Sequence, residues 1–296
     1  MSKAKLKSQL KEKPAAKGKS KRKDAAATET FNAGEPIAGD IARAAVAAEG
    51  RVALVTGSAK RLGRELALRL AADGYFTWVH YLTSRAEAEA VLSSIQDAGG
   101  AGAIVKGDMA SRKDVAAIAS RIGKVSGRLD VLVNNVGIYR TGDLEGYRVE
   151  DFAATLQSNL IGAFDLIQRT RDLFPRRGGS IINIGYSGVG SLAGSTHNTA
   201  YLISKTGLLV LTKSLAQALG PRGVRVNMVS PGILDNSVEL PRQPRDYVPL
   251  GRLGRCSDVC DAVAFLASAS AGYVTGVNLD VAGGYMLGLK ELDLER

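Results

Sequence analysis

A doubly wound α/β fold, an open parallel sheet of about seven strands with helices on both faces, is the architecture this sequence predicts. Three observations predict it. From Arg51 onward, short runs rich in Val, Ile and Leu alternate with longer segments of helical periodicity. Those short runs lack apolar–polar alternation, which suits strands buried on both faces of a parallel sheet. Strand–helix repetition at this spacing is the pattern of successive βαβ units. Glycine, at 34 of 296 residues, exceeds the usual ~7% and implies many tight turns.

Taken in order, the strand candidates are Val52–Val55, Phe76–Tyr81, Ala103–Val105, Val131–Val133, Ser180–Ile184, Val224–Val229 and Asn278–Val281. Between them lie helical patterns at Gly63–Ala72, Arg85–Ala98, Ser111–Val125, Glu150–Phe174, Thr199–Leu219 and Ser257–Ser268. Trp78 alternates with Phe76 on the second strand and reads as core. The stretch Ile233–Leu250 contains Pro241, Pro244 and Pro249, which disfavour a long helix and suggest an open site.

Charge separates the N-terminal segment from the rest. Residues 1–23 hold nine lysines and Arg22 against Glu12 alone, within a chain of net charge +10. The high charge therefore belongs to the tail and argues no basic face on the body. Residues 1–46 contain too few large apolar side chains to offset ordering entropy, so a disordered Lys-rich tail is expected there. A short helix from Asp40 to Ala48 is the one exception allowed by capping. The tail reads first as a passive solvated extension, with nucleic-acid contact or organelle targeting as the other readings. Residues 47–296 form a single domain of about the size where cores stop growing.

Cys256 and Cys260 are too few for a disulfide framework or a zinc site, and no metal is expected. No apolar run approaches the ~18 residues of a membrane span, so a cytoplasmic protein is the default.

The first strand runs into Thr56-Gly57-Ser58-Ala59-Lys60-Arg61-Leu62-Gly63 and then a helix. Glycines in such a turn let backbone N–H groups approach a pyrophosphate at the helix N-terminus. Further along, Tyr201-Leu202-Ile203-Ser204-Lys205 puts a phenol and an ammonium on one helical face. A phenol can give up a proton to a developing oxyanion, and a nearby cation lowers its pKa towards neutrality.

These segments resemble the short-chain dehydrogenase/reductase family, with its Rossmann-type fold. The turn matches Thr-Gly-x-x-x-Gly-x-Gly except that Arg61 stands at the middle glycine, a variant similar to the pteridine-reductase branch. Asp108, followed by Met109, stands where the family's acid contacts adenine. Asn134-Asn135-Val136-Gly137 resembles its Asn-Asn-Ala-Gly segment, and Pro231-Gly232-Ile233 its Pro-Gly turn beside the nicotinamide amide. The resemblance implies that Gly57, Ser58, Lys60, Arg61, Leu62, Gly63, Tyr81, Ser84, Asp108, Met109, Asn135, Val136, Gly137, Pro231, Gly232 and Ile233 bind the cofactor. It also implies Tyr201 as the acid, Lys205 as a second contact to the nicotinamide ribose, and Asn159 as holder of a relay water.

The family serine is either Ser187 or, counted from Asn183, Tyr186; Ser187 is the residue assigned. Tyr139 and Tyr186 are candidate substrate contacts. Between Tyr75 and Ala86 no acid is present to accept from a ribose, while Lys60, Arg61, Ser84 and Arg85 stand ready for a 2′-phosphate, so NADPH is the expected cofactor. The implied activity is reduction of a ketone or of a carrier-attached 3-oxoacyl thioester by a homotetramer or homodimer. Pteridine reduction is the alternative, favoured by the Arg61 turn, the His80-Tyr81-x-x-Ser84 stretch and Tyr139, although no Asp lies between Ser180 and Tyr201. A non-enzymatic protein working through its tail is the third reading. His80 is read as distant from the chemistry, either packing or touching the adenine ribose, and His197 as a polar loop residue.

Overall fold

The structure is a computed structural model and describes residues 50–176, 178–237 and 248–285. The predicted tail, the Asp40–Ala48 helix and the middle of the Ile233–Leu250 stretch lie outside these residues.

Seven strands form one sheet in the order β3-β2-β1-β4-β5-β6-β7. They are β1 (Val52–Val55), β2 (Phe76–Tyr81), β3 (Gly102–Lys106), β4 (Val131–Asn134), β5 (Ser180–Ile184), β6 (Arg225–Pro231) and β7 (Asn278–Val281). Every neighbouring pair is parallel. β1 and β4 are adjacent in space and distant in sequence, so the strand order reverses between them. In open parallel sheets that reversal opens a crevice at the carboxyl ends, where ligands bind.

The helices are α1 (Arg61–Ala72), α2 (Arg85–Asp97), α3 (Arg112–Ser126), α4 (Val149–Leu156), α5 (Gly162–Thr170), α6 (Thr199–Leu219) and α7 (Cys256–Ala267). Successive side chains of a strand face opposite sides, and here both sides are covered. Val52 and Leu54 join Phe76, Trp78, Ile118, Ile122 and Leu166 in one apolar layer. Ala53 and Val55 join Leu66, Leu70, Val91, Ile95, Val259 and Val263 in the other. This double burial is why the strands read as unbroken apolar runs.

Two expectations change. The helix expected at Glu150–Phe174 is divided: a π-turn, Gln157–Ile161, separates α4 from α5, and a 3-10 turn closes it at Arg171–Leu173. A π-turn accommodates one extra residue, and it places Asn159 at its centre. β6 runs on from the expected Val229 to Pro231, because β7 pairs with it through Pro231↔Val281.

Candidate active site

The crevice between β1 and β4 is tied together by polar side chains. Thr56, just past β1, accepts with its Oγ1 from the backbone N–H of Asn135 at 2.9 Å and of Val136 at 3.1 Å. Asn135 returns two bonds through Nδ2, to the carbonyls of Thr56 at 2.9 Å and Gly57 at 3.2 Å. Buried polar groups must find partners, and here they find them in each other.

The turn after β1 then approaches helix α1 closely. A Cβ on Gly63 would lie 2.2 Å from the Gly57 carbonyl oxygen, so only glycine fits there. Gly57 has φ +64. Arg61 also has a positive φ, +52, a conformation that disfavours a side chain. Its guanidinium donates to the carbonyl of Asn236. Lys60 Nζ lies 2.6 Å from Glu87 on α2, and Arg85 Nε lies 2.8 Å from Glu89. The acid-free stretch at the end of β2 is thus followed at once by Glu87, which holds one of the cations expected at a 2′-phosphate. Both members of that pair are exposed, so the pair is weak and open to competition.

Ser58 and His80 sit beneath this turn. Ser58 is fully buried, and its Oγ donates to the Val55 carbonyl at 2.7 Å and accepts from the His80 N–H at 2.9 Å. Its hydroxyl is therefore engaged within the protein. His80, 1% exposed, accepts at Nδ1 from the Gly57 N–H at 2.9 Å and stands with Nε2 3.0 Å from the Gly107 carbonyl.

The reaction-centre candidates come from β5, α6 and the loop after β4. Lys205 is 2% exposed, and its Nζ donates to the Ile184 carbonyl at 2.7 Å. The same Nζ lies 5.6 Å from the centre of the Tyr201 ring, and a Cβ on Gly137 would come within 3.2 Å of it. Burial pulls the Lys205 ammonium down to about 8. Tyr201 behaves opposite to expectation: burial pushes its phenol above the ordinary value, with Tyr139 and Tyr186 adding to the effect. The ammonium is turned to a carbonyl, so it does not offset that burial.

The Tyr201 ring meets Tyr139 at 5.0 Å and Tyr186 at 6.0 Å between centroids, both edge-on. Ser187, by contrast, is 1% exposed, and its Oγ donates to the Tyr285 carbonyl at 3.4 Å. Burial, then Tyr285 and Tyr139, push the Tyr186 phenol up. Asn159, fully buried, accepts at Oδ1 from the Ile138 N–H at 2.7 Å. Its Nδ2 donates to the Ile138 carbonyl at 3.0 Å and Ser204 Oγ at 3.1 Å. Its amide thus braces the loop that carries Tyr139 against α6.

The remaining candidates ring the same edge of the sheet. Asp108 follows β3 and accepts at Oδ1 from the Ala110 N–H at 2.8 Å; Met109 is buried. Tyr81 ends β2 and is buried, Ser84 precedes α2, and Leu62 is half-buried in the first turn of α1. Pro231 ends β6, and a Cβ on Gly232 would lie 2.8 Å from the Ala282 Cα. The Ile233 carbonyl accepts from the Gly254 N–H at 3.0 Å. Cys260 is buried; Cys256 accepts at Sγ from Asn236 Nδ2 at 3.2 Å.

Sequence reasoning passed over Thr56, Glu87 and Tyr285, and it read His80 as remote from the chemistry without joining it to Gly57. Thr56 lay within the quoted turn, and a Thr directly after the first strand was signal enough. Nothing in the sequence announces that His80 touches Gly57, because the contact depends on β1 and β2 lying side by side in register.

A glycine turn at the crossover of a parallel sheet is the Rossmann-type arrangement that suits a dinucleotide, and a Tyr–Lys pair lies on the helix after β5. The family profile described as "Enoyl-(Acyl carrier protein) reductase" matches residues 57–286. A 3-oxoacyl-[acyl-carrier-protein] reductase of Staphylococcus aureus is 37% identical over 239 residues, covering 78% of this chain and 96% of the relative. Its counterpart from Haemophilus influenzae is 37% identical over 249 residues, covering 81% and 99%. Among solved structures, the landomycin C-6 ketoreductase LanV with bound NADP and rabelomycin is 33% identical. It has a TM-score of 0.74 and covers 81% of this chain and 97% of that one. A blue fluorescent protein from a metagenomic library, in complex with NADPH, is 34% identical with a TM-score of 0.75, covering 80% and 98%. The chain belongs to the short-chain dehydrogenase/reductase family, and it is an oxidoreductase.

Proposed function

We propose that this protein is an NADPH-dependent carbonyl reductase acting on a ketone or a carrier-attached 3-oxoacyl thioester. The observation that carries the reading is the Tyr201–Lys205 pair, set beside the backbone cradles of Gly57, Gly63, Gly137 and Gly232. A Cβ on Gly63 or Gly232 would collide with backbone, and one on Gly57 or Gly137 would crowd a side chain, so these turns pack closely at the carboxyl edge where a dinucleotide binds in such sheets. NADPH, when bound, supplies a hydride to the carbonyl carbon. Tyr201 donates the proton to the oxygen, and a phenol held protonated by burial is the form that reduction requires. Lys205 and Gly137 border the nicotinamide ribose, with Asn159 fixing the loop between them. Lys60, Arg61 and Arg85 receive the 2′-phosphate, with Ser84 at the same strand end, once Glu87 and Asn236 yield their contacts. Asp108 and Met109 lie at the adenine end, with Tyr81; Pro231, Gly232 and Ile233 lie at the amide end.

Tyr186 is supported over Ser187 as the side chain facing the substrate carbonyl, since Ser187 Oγ is engaged by Tyr285 and the Tyr186 ring stands against Tyr201. Tyr139 and Tyr186 form aromatic walls of the site. The similarity to 3-oxoacyl-carrier reductases supports the thioester, and neither pteridine reduction nor a tail-driven binding role is favoured by the relatives.

Exposed Ile161, Phe164, Ile203 and Val210, on the π-turn and on α5 and α6, support assembly as a homodimer or homotetramer through these helices. Among the described residues no helix is long and apolar enough to cross a membrane, consistent with a cytoplasmic site of action.

The test is NADPH consumption with acetoacetyl thioester and dihydrobiopterin side by side. Thioester turnover is expected, and Tyr201→Phe should lower kcat by about 10²–10⁴ while NADPH binding persists. Turnover of the pterin alone, or an unaffected Tyr201→Phe enzyme, would overturn the reading.

A further inference from the structure

We propose that His80 is a positioning residue for the cofactor: its imidazole holds the Gly57 turn in its phosphate-receiving shape, and that hold is lost when the ring gains a second proton. The inference rests on the reading of the Gly57 turn as the phosphate site of NADPH.

The geometry dictates the tautomer. Among the described residues, Nε2 faces the Gly107 carbonyl at 3.0 Å, which can only accept, so Nε2 carries the hydrogen. Nδ1 is then left with a lone pair, and it takes the Gly57 N–H at 2.9 Å. One neutral ring thereby links the turn after β1 to the end of β3, passing through β2. Gly57 has φ +64, a conformation that glycine adopts freely and also leaves freely, so an external partner is needed to fix it. Gly57 also supplies the carbonyl that Gly63 must pass, and a shift at Gly57 is transmitted to the start of α1.

The ring is a separate device from the backbone staple beside it. Ser58 N–H donates to the His80 carbonyl at 2.9 Å, and the His80 N–H donates to Ser58 Oγ at 2.9 Å. Those bonds need no imidazole. Replacing the ring therefore leaves β1 and β2 joined and removes the ring's two bonds, to the Gly57 N–H and to the Gly107 carbonyl.

Protonation acts where replacement does. A charged imidazole has hydrogens on both nitrogens and would set an N–H against the Gly57 N–H. The ionisable group acting on the ring is Asp108, just after β3, which favours the charged form. From the turn, uncharged Gly57 meets the ring, while the charged Lys60 and Arg61 are turned to Glu87 and to the Asn236 carbonyl. Burial outweighs the bond to the Gly107 carbonyl and the charge of Asp108 and pulls the ring down to about 4, so the clamp is intact at neutral pH and fails on the acid side.

The experiment measures the NADPH Kd by fluorescence on freshly mixed samples from about pH 3.5 to 8, a range that crosses the ring's titration, for the unaltered protein, His80→Asn and His80→Leu, with the Tm of each cofactor-free protein recorded alongside. Asn places Oδ1 where Nδ1 stood and has no proton to gain. At pH 7.5, His80→Leu should bind NADPH about tenfold more weakly, the consequence of an orphaned buried N–H, while His80→Asn stays within about threefold. As pH falls, the unaltered protein should lose affinity relative to His80→Asn. That ratio isolates the ring, because the cofactor's own phosphate titrates identically in both measurements. Parallel pH curves for these two proteins overturn the proposal. So does a His80→Leu protein with a lowered Tm and an unchanged Kd, which would mark His80 as structural only. Should His80→Leu fail to fold, the comparison with His80→Asn decides alone. If the unaltered protein does not bind NADPH at all, the phosphate-site reading fails first and takes the proposal with it.

Discussion

Lys205 and His80 are two buried bases on opposite sides of neutrality, and their contributions to stability run the same way with pH. Each has a folded-state pKa below its unfolded value: about 8 against 10.5 for Lys205, about 4 against 6.5 for His80. The native state binds each proton less tightly, so each group favours folding more as pH rises through its window. For His80 the advantage is complete above 6.5. For Lys205 it arrives only between about 8 and 10.5, and at pH 7 the buried ammonium is a net penalty of about 3 kcal/mol. Lys205→Met should therefore stabilise the cofactor-free protein at pH 7 by about 2 kcal/mol, after the lost bond to the Ile184 carbonyl is counted. Urea denaturation at pH 7 and pH 10 measures it, with the gain smaller at the higher pH. Carbonyl reduction by that variant should be all but lost, and a variant both active and stabilised would remove Lys205 from the site.

Elements place these residues through close backbone approach. The N-terminus of α1 is drawn against the Gly57 turn because Gly63 has no side chain, while Arg61 accepts a left-handed conformation within the same turn. Strain of that kind costs on the order of 1 kcal/mol and is kept where geometry is functional. A Gly63→Ala substitution sets a Cβ 2.2 Å from backbone rather than from a yielding side chain. It should lower stability by about 2–4 kcal/mol and weaken NADPH binding more than tenfold, read by thermal denaturation and by cofactor fluorescence. An alanine enzyme with normal affinity would mean that α1 is free to move away. The π-turn is the corresponding device on the other side of the crevice. Its extra residue turns the Asn159 amide towards Ile138 and Ser204 at once.

For the whole molecule, the body and the basic tail are separable in charge, since residues 1–23 hold most of the excess. The site candidates all lie between residues 56 and 285, along one edge of the sheet. Removing residues 1–46 should leave kcat and KM within about twofold, because the tail's charge is screened within about 8–10 Å at ordinary salt. Steady-state kinetics of the shortened protein check this. A large fall would give the tail a part in catalysis and revive the reading in which it works on a partner.

The order of strands and helices, the glycine turn, the Asn-Asn and Pro-Gly segments and the Tyr–Lys spacing were all legible along the chain. Each depends on local chemistry: side-chain periodicity, a turn that only glycine can make, or two residues one helical turn apart. Boundaries shifted by one or two residues where a neighbouring strand extended the pairing, as at β6. The interrupted helix at Gln157–Ile161 was not legible, because its cause is the loop at Ile138 that Asn159 must reach. Nor could local sequence choose between Ser187 and Tyr186, or reveal that Lys60 rests on Glu87. It placed His80 far from the chemistry and did not join it to Gly57, since that contact exists only once β1 and β2 are paired. Sequence by itself determined the family, the sheet and the identities of the candidate side chains, which follow from interactions among near neighbours in the chain. Tertiary structure alone decided their partners and ionisation, because burial and hydrogen bonding at this crevice are set by residues far apart in sequence, brought together by a crossover between β1 and β4.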